Sequence, residues 1–215
     1  MRKNEVPCPS RLTAVAQQFG EIDIYLFDQL LKGRITPDMR ILDAGCGNGR
    51  NLIHLLKENY TVFGVDASTR AIEETSALSK RLAPTTPADR FRVERIEALS
   101  FHNSAFDVII CSAVLHFAEG PTHFKQMLTE LWRVLAPGGL LFTRLASSIG
   151  LEDRVTPLDD GRYRLPDGTV RYLVDEATLL NATTELGGRL ADPVKTTNVQ
   201  GQRCMTTWNI WKEKR

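Results

Sequence analysis

From residue 40 onward, short apolar runs alternate with longer amphipathic stretches, which predicts strands and helices taking turns along the chain. Ile41-Leu42, Thr61 to Val65, Phe91-Arg92-Val93, Phe106 to Cys111, Leu140 to Leu145 and Thr206 to Trp211 are short and largely apolar, as strands covered on both faces are. Between them Asn51 to Glu58, Ser68 to Leu82 and Pro121 to Leu135 read as helices. Ser68 is placed to cap the second, and Pro137-Gly138-Gly139 to stop the third. Parallel strands joined by helical crossovers are the simplest arrangement of such a chain.

Two regions depart from this rhythm. Ser10 to Leu31 reads as one or two helices whose apolar row, through Phe19, Ile22, Ile24, Leu26, Phe27, Leu30 and Leu31, is broader than a single stripe. Residues 1–39 are therefore expected to form a helical cover. Residues 146–173 turn polar, and Pro166-Asp167-Gly168 stands between two alternating segments, which predicts a hairpin within an inserted flap on the substrate side. With 215 residues, 42% of them apolar, residues 1–215 fit a single domain with a substantial core.

Charge narrows the partners. Twenty-seven basic against 26 acidic residues leave a net charge of +1, so no bulk positive field favours nucleic acid or an anionic bilayer. No apolar run approaches the ~20 residues of a membrane span, and the N-terminus lacks the apolar core of a signal peptide, so a cytoplasmic protein is expected. The four cysteines, Cys8, Cys46, Cys111 and Cys204, are dispersed; the expectation is free thiols and no metal site.

The strongest chemical signal is RILDAGCGNGRN, a strand ending at Asp43 that runs into Gly45, Gly47 and Gly49 and then a helix. Closely spaced glycines let a ligand approach main-chain N–H groups, and the helix start adds partial positive charge for an anionic group. The spacing is neither the GxGxxG of dinucleotide folds nor the GxxxxGK of a phosphate loop. Asp66 ends the second strand in VFGVDAS, about 20 residues past Gly45, where a carboxylate can accept both ribose hydroxyls. Loop and carboxylate together imply a nucleoside-containing cofactor.

Four motifs in order, ILDAGCGNG, VFGVDAS, FDVIICSAVLHF and ELWRVLAPGGLLF, make the stretch from Ile41 to Leu145 resemble the class I S-adenosylmethionine-dependent methyltransferases, those acting on small molecules in particular. The resemblance implies a Rossmann-like α/β fold: a seven-stranded, mostly parallel sheet with helices on both faces and one antiparallel strand near the C-terminus. It implies S-adenosylmethionine as cofactor and S-adenosylhomocysteine as product. By position, the loop of Asp43, Gly45, Cys46, Gly47 and Asn48 would hold the methionine end, Asp66 with Ala67 the ribose, and Cys111 the pocket wall at the end of the fourth strand. An aspartate usual near the adenine amino group is replaced by Arg95, so adenine recognition would fall to backbone groups, Ile96 or Glu97.

His116, just past the fourth strand, is the candidate general base, with packing under the cofactor as the alternative role. Cys46 and Cys111 read as packing residues ahead of nucleophiles. Arg144, at the end of the fifth strand, with Tyr163, Arg171 and Tyr172 of the flap, would form a wall for an acidic or aromatic small molecule, and Tyr25 would close over the cofactor. No separate recognition module and no Asn/Asp-Pro-Pro-Tyr/Phe pattern after the fourth strand supports nucleic acid as substrate. An NAD-dependent oxidoreductase and a non-catalytic S-adenosylmethionine-binding protein stand as alternatives, and the oligomeric state is open.

Overall fold

A computed structural model describes residues 14–214. Cys8 and the start of the expected helical stretch at Ser10 lie outside the described residues. Within them the N-terminal stretch forms two helices, α1 (Ala14–Phe19) and α2 (Ile24–Leu31), separated by a turn at Gly20. Asp23 caps α2 by accepting the Tyr25 N–H at 3.0 Å. The apolar row is divided: Leu26 is fully buried, while Ile24 and Leu31 are 65% and 72% exposed.

The central sheet is built in the predicted alternation. β1 (Arg40–Ala44), α3 (Ile53–Lys57), β2 (Thr61–Asp66), α4 (Thr69–Leu82), β3 (Phe91–Val93), β4 (Phe106–Ser112), α5 (Pro121–Val134) and β5 (Leu135–Ala146) follow one another. The five strands are parallel, in spatial order β5-β4-β1-β2-β3. Ser68 caps α4 as expected, its hydroxyl accepting the Ala71 N–H. β5 begins earlier than the sequence suggests. The strand starts at Leu135, and the Ala136 to Gly139 segment is an irregularity between the pairs Phe106–Leu135 and Val108–Leu140, so the proline and glycines bulge a strand rather than form a separate loop.

Side-chain alternation sorts the core. Ile41, Val108, Ile110, Leu140 and Phe142 face α2, α3 and α4, whereas Leu42, Ile109, Cys111 and Leu141 face α5. Each face is buried, which is why the strands read as nearly continuous apolar runs.

After β5 a small antiparallel sheet forms from β6 (Thr156–Pro157), β7 (Arg162–Arg164) and β8 (Val170–Tyr172). The β7–β8 hairpin turns at Pro166-Asp167-Gly168, with Gly168 at φ 83° and Asp167 accepting both the N–H and the hydroxyl of Thr169. Helix α6 (Glu176–Glu185) follows, then β9 (Gly188–Leu190), β10 (Lys195–Val199) and β11 (Arg203–Lys212). β11 inserts antiparallel beside β5, the expected reversed strand. β9 and β10 pair with successive parts of β11, so the expected seventh position is one edge strand broken at Asp192-Pro193, where proline has no N–H for the ladder.

Asp192 fastens the N-terminal helices to this edge. Its carboxylate accepts from Lys32 Nζ at 2.8 Å, an Arg34 guanidinium nitrogen at 2.6 Å, Gln29 Nε2 at 3.1 Å and Asn209 Nδ2 at 3.3 Å. Burial alone would push this carboxyl up, but these donors outweigh it and hold Asp192 well below the usual carboxylate range.

Candidate active site

At the C-terminal ends of β1, β2 and β4, a cavity of about 520 Å³ opens, within the usual size of ligand sites. Gly45, Gly47, Asp66, Ala67, Ile96 and Glu97 line it, so six of the cofactor residues expected from sequence come together there. The loop after β1 explains its glycines. Gly45 has φ 81°, and a Cβ there would meet Val114 Cγ2 at 2.3 Å; Gly47 has φ 54° with nothing within 4 Å of a Cβ position. The first glycine lets two loops touch, and the second faces open space.

Asp66 holds this loop in place. Its Oδ2 accepts the Gly47 N–H at 3.0 Å and its Oδ1 the Ser68 N–H at 2.9 Å. An ionised carboxylate offers about four acceptor sites, so two remain for a pair of hydroxyls. Asp43 is 1% exposed, and its Oδ2 has no hydrogen-bond partner among the described residues. Burial pushes the Asp43 carboxyl up to about 7, Arg50 pulling it down and Asp66 adding to the rise. The orphaned oxygen lies beneath the glycine loop, behind the cavity wall. These residues fit an adenosyl sulfonium with its amino-acid end at the glycine loop.

The far end of the cavity holds residues that the sequence did not single out. His123, in the first turn of α5, accepts the Glu119 N–H at Nδ1 over 3.2 Å, and its Nε2 lies 3.5 Å from Glu97 Oε2. Glu97 also pairs with Arg95. Burial raises the Glu97 carboxyl, but its own backbone N–H, Arg95 and His123 together hold it below the usual range. Ile96, Val114 and Met127 supply apolar walls, and Phe117 stands 59% exposed at the mouth. Ala113, also in the wall, has φ 64°, a strained value for a residue with a Cβ, and its N–H donates to Arg144 O at 2.6 Å.

Several expected site residues lie elsewhere. Cys46 points away from the cavity toward Gly64 and Thr75, and Cys111 is fully buried against the other core; burial raises both thiols. Asn48 is exposed and does not line the cavity. His116 is 6% exposed, also off the cavity wall, and its Nδ1 accepts the Ala146 N–H at 3.1 Å. Burial first, then the charge of Arg171, lowers its pKa to about 4. The ring is thus held against β5, off the cavity lining. Tyr172 is 8% exposed and stacks near Phe124, its ring centroid 5.1 Å away, which makes it core rather than wall; Tyr163 packs on the small core of Leu165 and Leu173. Arg171 lies over the Phe117 ring at 4.8 Å, at the cavity mouth.

Tyr25 and Arg144 meet each other: the guanidinium carbon lies 4.7 Å from the ring centroid. The Tyr25 hydroxyl bonds Thr197 Oγ1 at 2.8 Å, so the ring is held from both ends. Asp23 joins them, its Oδ2 lying 3.5 Å from Arg144 Nε and 3.8 Å from Arg50. Asn51 fixes Asp23 in turn, its Oδ1 accepting the Asp23 N–H at 3.0 Å.

Residues 41–139 match the family model described as a methyltransferase domain, a span that contains the glycine loop, Asp66 and the end of β4. The chain carries a methyltransferase domain. The dinucleotide oxidoreductase alternative, weighed on glycine spacing, is set aside by this match. The chain is 31% identical over 199 residues to a tRNA U34 carboxymethyltransferase of Saccharophagus degradans, covering 87% of this chain and 58% of that one. A crystal structure of an S-adenosylmethionine-dependent methyltransferase from Methanosarcina mazei superposes with a TM-score of 0.70 at 24% identity, over 86% of this chain and 98% of the other. The Burkholderia thailandensis 1,6-didemethyltoxoflavin N1-methyltransferase, solved with 1,6-didemethyltoxoflavin and S-adenosylhomocysteine, gives 0.69 at 17% identity, over 94% and 82%. The chain spans about half the length of the curated relatives it matches.

Proposed function

We propose that this chain binds S-adenosylmethionine and transfers its methyl group to a small molecule. The observation that carries the reading is the junction of Gly47 with Asp66: one hydrogen bond ties the open glycine loop to a carboxylate with acceptor sites to spare, at the rim of a cavity of about 520 Å³. The glycine loop and Asp43 would hold the methionine end, Asp66 the ribose, and Ile96, Glu97 and His123 the adenine. When bound, the cofactor supplies an electrophilic methyl on a sulfonium and leaves as S-adenosylhomocysteine.

Because that methyl is already activated, the protein's task is alignment and exclusion of water, worth on the order of 7–11 kcal/mol where geometry is favourable. Ser112, Ala113 and Phe117 form the wall beyond the loop, and Arg171 braces Phe117 from the flap. No residue of this wall is required as a base in the reading, and His116 serves by fixing β5 to the turn after β4. A small acceptor fits the near-neutral net charge and the acidic residues Glu94, Glu97 and Glu119 along the cavity, which would repel a phosphate backbone. The second reading, a tRNA acceptor, is favoured by the Saccharophagus relative. We place the activity in the cytoplasm, in keeping with three buried free cysteines and with no helix among the described residues long and apolar enough to cross a membrane.

Calorimetry tests the reading. S-adenosylhomocysteine and S-adenosylmethionine are expected to bind and NAD not to bind. Asp66→Ala should weaken the adenosyl ligands by about 1.5–3 kcal/mol for each charge-assisted bond lost. Unchanged affinity in the folded variant removes Asp66 from the site.

A further inference from the structure

A polar row crosses the sheet face that α2 covers. Asp43 on β1 lies on the face of Ile41, and Ser112 on β4, Arg144 on β5 and Thr207 on β11 sit side by side by strand register. Asp43, Ser112 and Thr207 are buried, and the Arg144 side chain is 15% exposed. Asp23 and Tyr25 of the N-terminal segment close the row from above.

Arg144 is under-used in this row. A guanidinium carries five N–H donors in a rigid fork, yet among the described residues this one makes no side-chain hydrogen bond. It has only the 3.5 Å approach of Nε to Asp23 Oδ2 and the face of Tyr25. That Asp23 oxygen is shared, since the Ser112 hydroxyl approaches it at 3.4 Å and Arg50 at 3.8 Å. Beside Arg144, Thr207 is 3% exposed and its hydroxyl has no hydrogen-bond partner among the described residues. Taking such groups out of water costs free energy that the long Asp23 contact and the Tyr25 face offset only in part for Arg144, and that no hydrogen bond offsets for Thr207.

The charges agree with the geometry. Arg50 and Arg144 face one carboxylate, Asp23, and the buried Asp43 carboxyl is a poor counterion because burial favours its neutral form. The opposite end of the cavity gathers Glu94, Glu97 and Glu119 around Arg95. The site is acidic where adenosine would lie and cationic beyond the loop.

We propose that the methyl acceptor is a small carboxylic acid, its carboxylate gripped by the Arg144 fork with the Thr207 hydroxyl beside it and the Tyr25 ring closing over it. The proposal rests on the methyltransferase reading. A planar two-oxygen anion matches the fork, and one carboxylate matches the single surplus charge. The carboxylate is the handle; the nucleophilic atom is elsewhere on the acceptor, toward Ser112 and the cavity. A polyanionic RNA strand would demand more cations than Arg50 and Arg144 provide beneath α2.

The test uses the full chain with S-adenosylmethionine and four acids, benzoate, salicylate, phenylacetate and malonate, each beside its amide. Binding to the S-adenosylhomocysteine complex is read by ligand-observed NMR, and turnover by S-adenosylhomocysteine release. At least one acid should bind, with its amide tenfold weaker or worse. Arg144→Gln should weaken that acid at least tenfold while S-adenosylhomocysteine affinity stays within twofold, and Arg144→Lys should restore part of the loss. The proposal is overturned if no acid binds at millimolar concentration, if amides bind equally, if Arg144→Gln weakens S-adenosylhomocysteine instead, or if tRNA alone drives product release. Failure of the wild type to bind S-adenosylhomocysteine at all would overturn the methyltransferase reading, a separate outcome. Should Arg144→Gln not fold, the acid–amide comparison on the wild type decides.

Discussion

Asp43 and His116 are both buried and both displaced from their ordinary values, in directions that oppose each other. His116 falls from 6.5 to about 4, so the stability it contributes is present above its unfolded value and lost as pH falls from 6.5 toward 4, roughly 3 kcal/mol at 1.4 per unit. Asp43 rises from 3.8 to about 7, so its buried neutral form favours folding most below 4 and that benefit is lost as pH climbs to 7. His116→Asn keeps an acceptor for the Ala146 N–H and removes the titration. Urea unfolding at pH 6.5 and 4.5 should show an acid loss about 2 kcal/mol smaller in the variant than in the wild type. Equal losses would show that the ring titrates as it does in the unfolded chain. At this scale the sequence was informative where chemistry is linear. Gly45, Gly47 and Asp66 stand in contiguous motifs, and the structure sets them on one cavity. Asp23, Ser112, Thr207 and His123 carried no such mark, because what brings them to the site is strand register and helix docking across long stretches of chain.

The helices and strands were legible from period, but the joints between them were not. α2 is seated by Asp192, a residue far down the chain at a break in the edge strand, and nothing in the apolar row of α2 announces that anchor. Lys32, Arg34 and Asp192 are 32%, 23% and 11% exposed, so water screens the ion pairs only in part. Asp192→Ala should cost about 1–2 kcal/mol, measured by chemical denaturation, and should speed amide exchange in α2 ahead of the central strands. Exchange rising equally in β4 would mean that α2 and the sheet open as one unit. The Pro137-Gly138-Gly139 run does end α5, but the start of β5 at Leu135 rather than Leu140 was not legible, because it depends on pairing of Leu135 with Phe106 across the sheet.

Taken whole, the molecule puts its glycine loop and Asp66 on the parallel half of the sheet and Arg144, Thr207, the small β6–β8 sheet and the N-terminal helices outside the span that the methyltransferase model matches. The parallel half follows from motifs and alternation; the acceptor side depends on how β11, β10 and α2 come together. A ligand that binds only the folded state stabilises it by about 2.7 kcal/mol at a hundred times its Kd. For a chain of this size S-adenosylhomocysteine at that excess should raise Tm by roughly 5–10 °C, and NAD should leave it unchanged. A scan with both ligands checks this, and a rise with NAD alone would overturn the cofactor assignment.

The broken border strand has a consequence for crowded solutions. An uninterrupted outermost strand would offer neighbouring molecules a long row of unpaired amides and carbonyls on which to template further strands. Here Pro193 withholds a donor and the border divides into strands of three and five residues, so this edge offers only short rows to a neighbouring molecule.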